Sequence, residues 1–275
     1  MVRQKLDPPR GVLKGSGELD GRIKHERYYP SEDLAPFIEH FWIVEWDLRG
    51  REPFLAETLP HPSVHMAFYH DGRAEIGGPA TAKFSTQLED AGGVFAAKFT
   101  PAGFYPFARG PVSRFTDTKT NIGDIFGESG VALAHQIHAV ATIEGRVSLV
   151  EDFLQARLPA HDENVETISR MVYATANDRE ITKVEQLADR NAVTVRSLQR
   201  MFAKYVGVSP KWVIRRYRLH EAAEQLGNGS TVDYADLAVE LGYSDQAHFL
   251  RDFKSVVGVS PGAYAKDNRS RTANR

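Results

Sequence analysis

Arg196, Arg200 and Ala203 fall on one side of a helical pattern between Val195 and Tyr205, with Gln199 and Lys204 on its flanks. About fifty residues later Ala247, Arg251 and Lys254 point away from a second apolar stripe, flanked by His248 and Leu250. Guanidinium and amide groups on an exposed helix face are suited to one kind of chemistry. They donate and accept hydrogen bonds at base edges in a DNA major groove, and a forked arginine can bind guanine O6 and N7 together. The competing roles for each arginine are a phosphate contact and a salt bridge to a neighbouring acid.

The front half offers other candidates. His61 and His65 stand four apart and His70 follows, but the surrounding pattern is strand. Residues four apart on a strand lie roughly 13 Å from each other, too far to share a metal ion. No metal site and no cofactor are expected. Glu57 with His61 could pair as acid and base, but no orienting group or oxyanion donor accompanies them, so no active site is read here. Trp42, Trp46, His61, His65, Phe99 and Phe104 are the candidates for lining an apolar ligand pocket inside β-structure. Core packing is the competing role of the aromatic ones.

The two basic faces need helices to carry them. "SLQRMFAKYVGVSP" (197–210) and "HFLRDFKSVVGVSP" (248–261) are one phrase written twice, with an arginine, a phenylalanine and Gly-Val-Ser-Pro in step. Leu198, Met201, Phe202 and Tyr205 form the buried stripe of the first copy, and Phe249, Phe253 and Val256 that of the second. A short helical segment precedes each, "VEQLADRN" and "YADLAVEL". Small residues at Ala188, Ala192, Ala238 and Gly242 allow a close helix crossing and a tight turn, and Thr194 and Ser244 or Asp245 are suitable N-caps. Each copy therefore predicts helix-turn-helix. In each phrase the glycine closes one helix and Ser-Pro opens the next. Between the copies, residues 210–229 predict a long connector helix with Trp212, Ile214, Leu219 and Leu226 available to pack and Gly227 to Gly229 as its stop. Such a connector would hold two helices for successive major grooves, about 34 Å apart.

The rest of the chain sets the frame. Its 275 residues suggest two domains, and the absence of cysteine excludes disulfides, thiolate nucleophiles and zinc fingers. No apolar run approaches the roughly 20 residues that cross a bilayer, and residues 1–21 lack the apolar centre of a secretion signal, so a cytoplasmic protein is expected. Residues 37–48, 63–70 and 93–100 read as strands, and 127–158 as one or two helices with Leu149, Phe153 and Leu154 on one face. The polar stretch 158–164 reads as a linker. Beyond it 17 Lys+Arg face 13 Asp+Glu, a balance of +4, against −6 for the preceding part. The fold expected is α+β. A mostly-β domain with trailing helices occupies residues 1–160, and an all-α domain occupies 165–270. The latter holds helix-turn-helix units at about 184–206 and 233–257 around a connector at about 210–227. The C-terminal part is expected to fold and bind DNA alone, because a polar linker separates the two cores and the charge changes sign there.

From about Val165 to Lys266 the chain resembles the DNA-binding domain of the AraC/XylS family of transcriptional regulators, through "LADRNAVTVRSLQRMFAKYVGVSP" and "LAVELGYSDQAHFLRDFKSVVGVSP". The resemblance implies seven helices and assigns base reading to Arg196, Gln199 and Arg200, then to Gln246, Ala247, His248 and Arg251. With the cap Thr194 and the flanking Lys204 and Lys254, these are the expected DNA contacts. Ala192 stands where many members have glycine. "LPHPSVHMAF", "GGPATAKF" and "AAKFTPAGFYPF" resemble the cupin-like front domain of some members, which implies a sensing or dimerising role. His61 and His65 lie too far apart for the His-x-His pair of cupin enzymes. The expected function is sequence-specific, non-enzymatic regulation of transcription. The expected partners are double-stranded DNA, a small-molecule effector, a second copy of the chain and RNA polymerase. The alternatives are a cupin-type enzyme with a DNA-binding appendage and an architectural DNA-binding protein. Bound metal would mark the first, and a specific-to-nonspecific affinity ratio near one the second.

Overall fold

A computed structural model describes residues 12–14, 21–158, 162–227 and 233–273. Among the described residues nine strands come first: β1 (Val12–Lys14), β2 (Ile23–Tyr28), β3 (Ile38–Asp47), β4 (Phe54–Thr58), β5 (His65–Tyr69), β6 (Ala74–Gly77), β7 (Phe84–Leu88), β8 (Ala91–Phe99) and β9 (Lys119–Asn121). They form a three-stranded sheet, β1-β4-β7, and a six-stranded sheet, β2-β3-β8-β5-β6-β9, with antiparallel neighbours throughout. Three helices follow, α1 (Ile122–Phe126), α2 (Glu128–Ala139) and α3 (Ile143–Gln155).

Period-two alternation along β3 divides the six-stranded sheet into two chemically different faces. Phe41 and Ile43 pair with Ala97 and Phe95, and this face packs with Met66, Phe68, Leu133, Val150 and Leu154 into the main core under α2 and α3. Phe153 and Leu154 are buried in that core and Leu149 packs against it, as their helical spacing requires. On the other face His40, Trp42 and Val44 pair with Lys98, Ala96 and Val94. This side is polar.

Helices α4 (Glu163–Asn177), α5 (Val184–Arg190), α6 (Val195–Tyr205), α7 (Pro210–Gly227), α8 (Tyr234–Glu240), α9 (Gln246–Val257) and α10 (Pro261–Ala273) complete the chain. Asp162 caps α4 by accepting from the Asn164 amide at 3.0 Å. Linker positions 159–161 and the expected stop at Gly229 lie outside the described residues, as do residues 1–11 and 15–20. The repeated phrase acts as punctuation in both copies. Gly207 and Gly258 take φ of 92° and 91° after α6 and α9, and the hydroxyls of Ser209 and Ser260 accept from the Trp212 and Ala263 amides at the starts of α7 and α10.

The two turns inside the helix-turn-helix units both use left-handed backbone, at Ala192 (φ 51°) and Gly242 (φ 79°). A Cβ on Gly242 would fall 2.5 Å from Thr182 Cβ. Ala192 is exposed, so its methyl makes no compensating packing. Left-handed backbone costs an alanine about 1–2 kcal/mol, and glycine returns about 0.4–1 kcal/mol of that as unfolded-state entropy. Ala192→Gly is therefore expected to raise the unfolding free energy by up to about 1 kcal/mol. Urea titration of the full chain checks this, and a lower midpoint would mean that the Ala192 methyl is held by packing after all.

The polar linker does not keep the two cores apart. Ala102 is part of the core of the first helix-turn-helix unit, with Phe37 and Tyr105 packed against it, and Leu59 is part of the core of the second. The rings of Tyr105 and Tyr205 lie 4.1 Å apart. The Thr116 hydroxyl donates to the Gly207 carbonyl at 2.7 Å, and the Tyr173 hydroxyl donates to Glu39 at 3.1 Å. Small and turn residues of the front half make this seam, which is why hydrophobic periodicity does not announce it.

Candidate nucleic-acid interface

The buried side of α6 is Leu198, Phe202 and Tyr205, and that of α9 is Phe249, Asp252, Phe253 and Val257. These stripes fix which residues face outward. Thr194, Arg196, Gln199, Arg200, Lys204, Gln246, Ala247, His248, Arg251 and Lys254 are all exposed. Among the described residues no hydrogen bond or ion pair engages the guanidinium groups of Arg196, Arg200 or Arg251, and the Arg251 charge acts on Asp245 at the start of α9. Three long forks are thus available to an external acceptor.

Three of the ten have internal duties that bear on their use. Thr194 caps α6, its Oγ1 accepting from the Ser197 amide at 3.1 Å. The Lys204 ammonium lies 4.9 Å from the ring centroids of both Tyr105 and Tyr205, so it sits at the seam with the front domain, where a hydrogen bond with Tyr105 raises its pKa. Asp245, not Ser244, caps α9 by accepting from the His248 amide at 2.7 Å. The His248 ring stands edge-on to Tyr243 at 5.1 Å, with Nε2 3.9 Å from the buried Asp252. Gln246 and Ala247 open α9, where an exposed helix start is sterically free to approach a groove.

The connector α7 aligns these faces through groups that sequence spacing alone leaves unread. Arg215 forms an ion pair with Asp252 of α9. Arg218 is 2% exposed and donates to the carbonyls of Thr175 and Asp178 at 2.7 and 3.1 Å, and to Glu221 at 2.9 Å. These bonds tie the connector to both α4 and α9. Trp212 is half-buried, while Ile214, Leu219 and Leu226 are buried.

The six pocket candidates do not converge. Phe99 and Phe104 are buried in the main core, ring edge to ring face at 5.0 Å. Trp42 and His65 belong to the opposite face, where the indole N–H donates to His65 Nδ1 at 3.2 Å. Trp46 donates to the Glu89 carbonyl at 3.0 Å, and His61 lies against His220 of α7 with ring centroids 5.3 Å apart. Instead of an apolar lining, the Trp42 face carries His25, Arg27, His40, His65 and Lys98. Burial, with the Lys98 charge, holds the His65 imidazole down to about 3, and burial holds His25 down to about 4, so both are neutral at pH 7. A cavity of about 210 Å³ opens elsewhere, beside Glu45, Tyr69, His70, Arg73, His138 and Arg146. Glu57, the other member of the acid/base pair considered above, is engaged by the Lys83 ammonium. Among the described residues no group of three or more His, Asp or Glu could hold a metal ion, and no helix is long and apolar enough to cross a membrane.

Comparison with known proteins places these features in a family. A family model described as a helix-turn-helix domain matches residues 187–267, from α5 into α10, and one described as a domain of unknown function (DUF6597) matches residues 26–121. The transcriptional activator AarP of Providencia stuartii is 31% identical over 94 residues, covering 34% of this chain and 69% of AarP. A putative AraC-like transcription regulator of Streptomyces lividans is 36% identical over 83 residues, covering 30% of this chain and 27% of that protein. An uncharacterized HTH-type transcriptional regulator of Haemophilus influenzae is 34% identical over 83 residues, and the match spans only 28% of it. Among solved structures, the C-terminal domain of AraT from Geobacillus stearothermophilus has a TM-score of 0.32 at 25% identity, covering 35% of this chain and 84% of that one. ToxT from Vibrio cholerae has a TM-score of 0.38 at 10% identity, covering 89% and 97%. Both scores are too low to carry an argument about this fold. The duplicated helix-turn-helix units, the family model that spans them and the similarity along 69% of AarP lead to one conclusion: the chain belongs to the AraC-type family of helix-turn-helix transcriptional regulators.

Proposed function

We propose that this chain is a sequence-specific DNA-binding regulator that lays α6 and α9 in two adjacent major-groove segments, acts as a homodimer, and answers to a small molecule held by its front domain. The observation that carries the reading is the duplicated outward arginine. Arg200 and Arg251 stand seven residues before a helix-closing glycine in each copy, exposed and with no hydrogen bond or ion pair among the described residues. A chain that needed only phosphate contacts would have no reason to keep one forked donor in the same helical register twice. A second copy of the chain would double the number of segments read and sharpen discrimination. Contacts with RNA polymerase would follow from activation, and nothing in the reading requires them for DNA binding.

The testing experiment is selection of DNA from a random pool with the full-length protein, followed by affinity measurements at several salt concentrations. The expected result is an enriched site with two conserved segments one helical turn apart, bound roughly 10³-fold or more tightly than unrelated DNA. Binding should weaken steeply as salt rises, because phosphate contacts release counterions. An enriched pool with no common sequence, and one affinity for all duplexes, would replace this reading with an architectural one.

A further inference from the structure

The glycine that closes α6 and the glycine that closes α9 meet the same short segment of the front domain. That segment is 79–83, in the connection between β6 and β7. A Cβ on Gly207 would lie 3.2 Å from Pro79 Cγ and 3.1 Å from both Val112 Cγ1 and Thr116 Oγ1. A Cβ on Gly258 would lie 2.7 Å from Lys83 Nζ. Between these two points the indole of Trp212, in the first turn of α7, donates to the Thr81 carbonyl at 3.4 Å. One short segment thus touches both helix-turn-helix units and the start of the connector. The two copies of Gly-Val-Ser-Pro are seats for the front domain as well as punctuation.

The segment is itself pinned. Asp117 accepts from the Thr81 amide at 2.6 Å and from the Thr81 hydroxyl at 2.7 Å, and the Asp117 amide donates to the Pro79 carbonyl at 3.0 Å. These bonds join it to the turn whose Thr116 hydroxyl holds the Gly207 carbonyl. At the other end the Lys83 ammonium is paired with Glu57 of β4. It stands beside the closing turn of α9, where the helix dipole favours a cation. Glycine has the widest backbone freedom of any residue, so seating each closing glycine removes freedom where the chain would otherwise keep most of it.

We propose that segment 79–83 is a brace that, with the connector, fixes the separation and relative rotation of α6 and α9. Asp117 is its positioning residue, and Lys83 is its contact with the second unit. The front domain thereby determines which spacing of two DNA segments the chain accepts. This inference rests on the two-segment reading above and adds a specificity determinant outside the helix-turn-helix units. The brace needs no contact with DNA, because it acts through geometry. One extra base pair between the segments turns the second about 35° around the duplex and carries it about 3.4 Å along the axis. Helices held by a common brace cannot follow that change, whereas helices released at their glycine turns can.

The test uses the full chain and three variants. Asp117→Ala removes both acceptors of Thr81. Asp117→Asn removes the same charge but keeps an acceptor and tolerates the φ of 57° at this position. Lys83→Met removes the cation beside α9 and leaves Glu57 the Ser85 hydroxyl. The chain has no cysteine, so nitroxide labels introduced by Ala203→Cys and Ala247→Cys, both exposed positions, report the distance between α6 and α9 by double electron–electron resonance. A single narrow distribution is expected for the parent and Asp117→Asn, and a broadened or shifted one for Asp117→Ala and Lys83→Met. The second readout is affinity for the selected DNA site against versions with one base pair inserted or removed between its segments. The parent should lose about tenfold or more on either change, as for a mismatched contact, and Asp117→Ala and Lys83→Met about threefold or less. Taking this ratio within each variant cancels any change in overall attraction to phosphate. Unchanged distances in both Asp117→Ala and Lys83→Met overturn the brace, as does an unchanged spacing penalty. So does relaxation in Asp117→Asn equal to that in Asp117→Ala, which would assign the effect to charge. Tighter binding of Asp117→Ala to the unaltered site also overturns it, because the segment would then hold α6 and α9 in a form unsuited to DNA. Lys83→Met carries the test alone if Asp117→Ala fails to fold. A preferred DNA site with no difference in either readout removes the brace and leaves the regulator standing. Altered distances in a protein without sequence preference keep the brace and remove its role in recognition.

Discussion

Replacing Arg200 and Arg251 together by alanine is expected to cost roughly 2–6 kcal/mol of specific DNA binding, about 1–3 kcal/mol from each, with the unfolding midpoint unchanged. The stability half follows from exposure. Each side chain points away from the buried stripe of its helix and bonds to no described residue, and such surface substitutions usually stay within about 0.5 kcal/mol. The binding half follows from register. Each arginine lies two residues before a fully buried phenylalanine, Phe202 or Phe253, which anchors the helix and so fixes where the fork points. A fork aimed into a groove makes bidentate bonds to guanine, and losing one relaxes preference at one base pair. In the proposed reading the two helices contact separate segments, so the losses should add. Affinities of the two single variants and the double variant for the selected site, and for variants of that site, measure all three statements. If Arg200→Ala weakens every duplex equally and only lowers the salt slope, that arginine holds a phosphate and the reading side of α6 must be moved.

What could be read in the sequence was what local physics writes there. Leu198, Phe202 and Tyr205 of α6, Phe249 and Phe253 of α9, the caps Thr194 and Asp245 and the closing glycines Gly207 and Gly258 are each set by a few neighbouring residues, and the structure has them in those roles, while Met201 and Val256 are only half-buried and Val257 takes the last buried place in α9. Strands β3, β5 and β8 were legible for the same reason. Alternation shows that β3 has two faces, but not which of them meets the helices. For that reason Trp42 and Phe99 seemed able to share one lining, although they belong to opposite sides of the sheet. The seam between the halves was hidden more deeply, because Ala102, Pro60 and Leu59 carry no pattern that pairs them with distant residues such as Ser169, Arg216 and Leu219. One signal of the seam between α4 and the connector does lie in the sequence of α7. Arg218 stands four residues from both Ile214 and Ala222, in the middle of the apolar stripe of α7, and an arginine at such a position must find partners or fail to bury.

Arg218→Ala is expected to lower the unfolding free energy by about 3–5 kcal/mol, the usual consequence of removing one partner from a buried charged network. The side chain is 2% exposed, and its bonds run to the Thr175 and Asp178 carbonyls and to Glu221. Those carbonyls lie at the C-terminal end of α4, where the helix leaves its last acceptors unsatisfied and the dipole favours a cation. Removing the guanidinium leaves the Thr175 carbonyl in a fully buried setting without its donor, and Glu221 with only Arg179 beside it. Lysine cannot span both carbonyls and the carboxylate at once, so Arg218→Lys should recover only part of the loss. Two residues earlier, Arg216→Met should cost little or stabilise the protein, since that guanidinium bonds one carbonyl and faces no acid. The same residue type, on the same helix and at the same burial, thus has opposite expected effects because only one of the two has its hydrogen bonds made. Urea unfolding of the three variants at one pH decides the matter. A loss below about 1 kcal/mol for Arg218→Ala would mean that water replaces the guanidinium at the end of α4, and that the tie between α4 and the connector does not set the spacing of the reading helices.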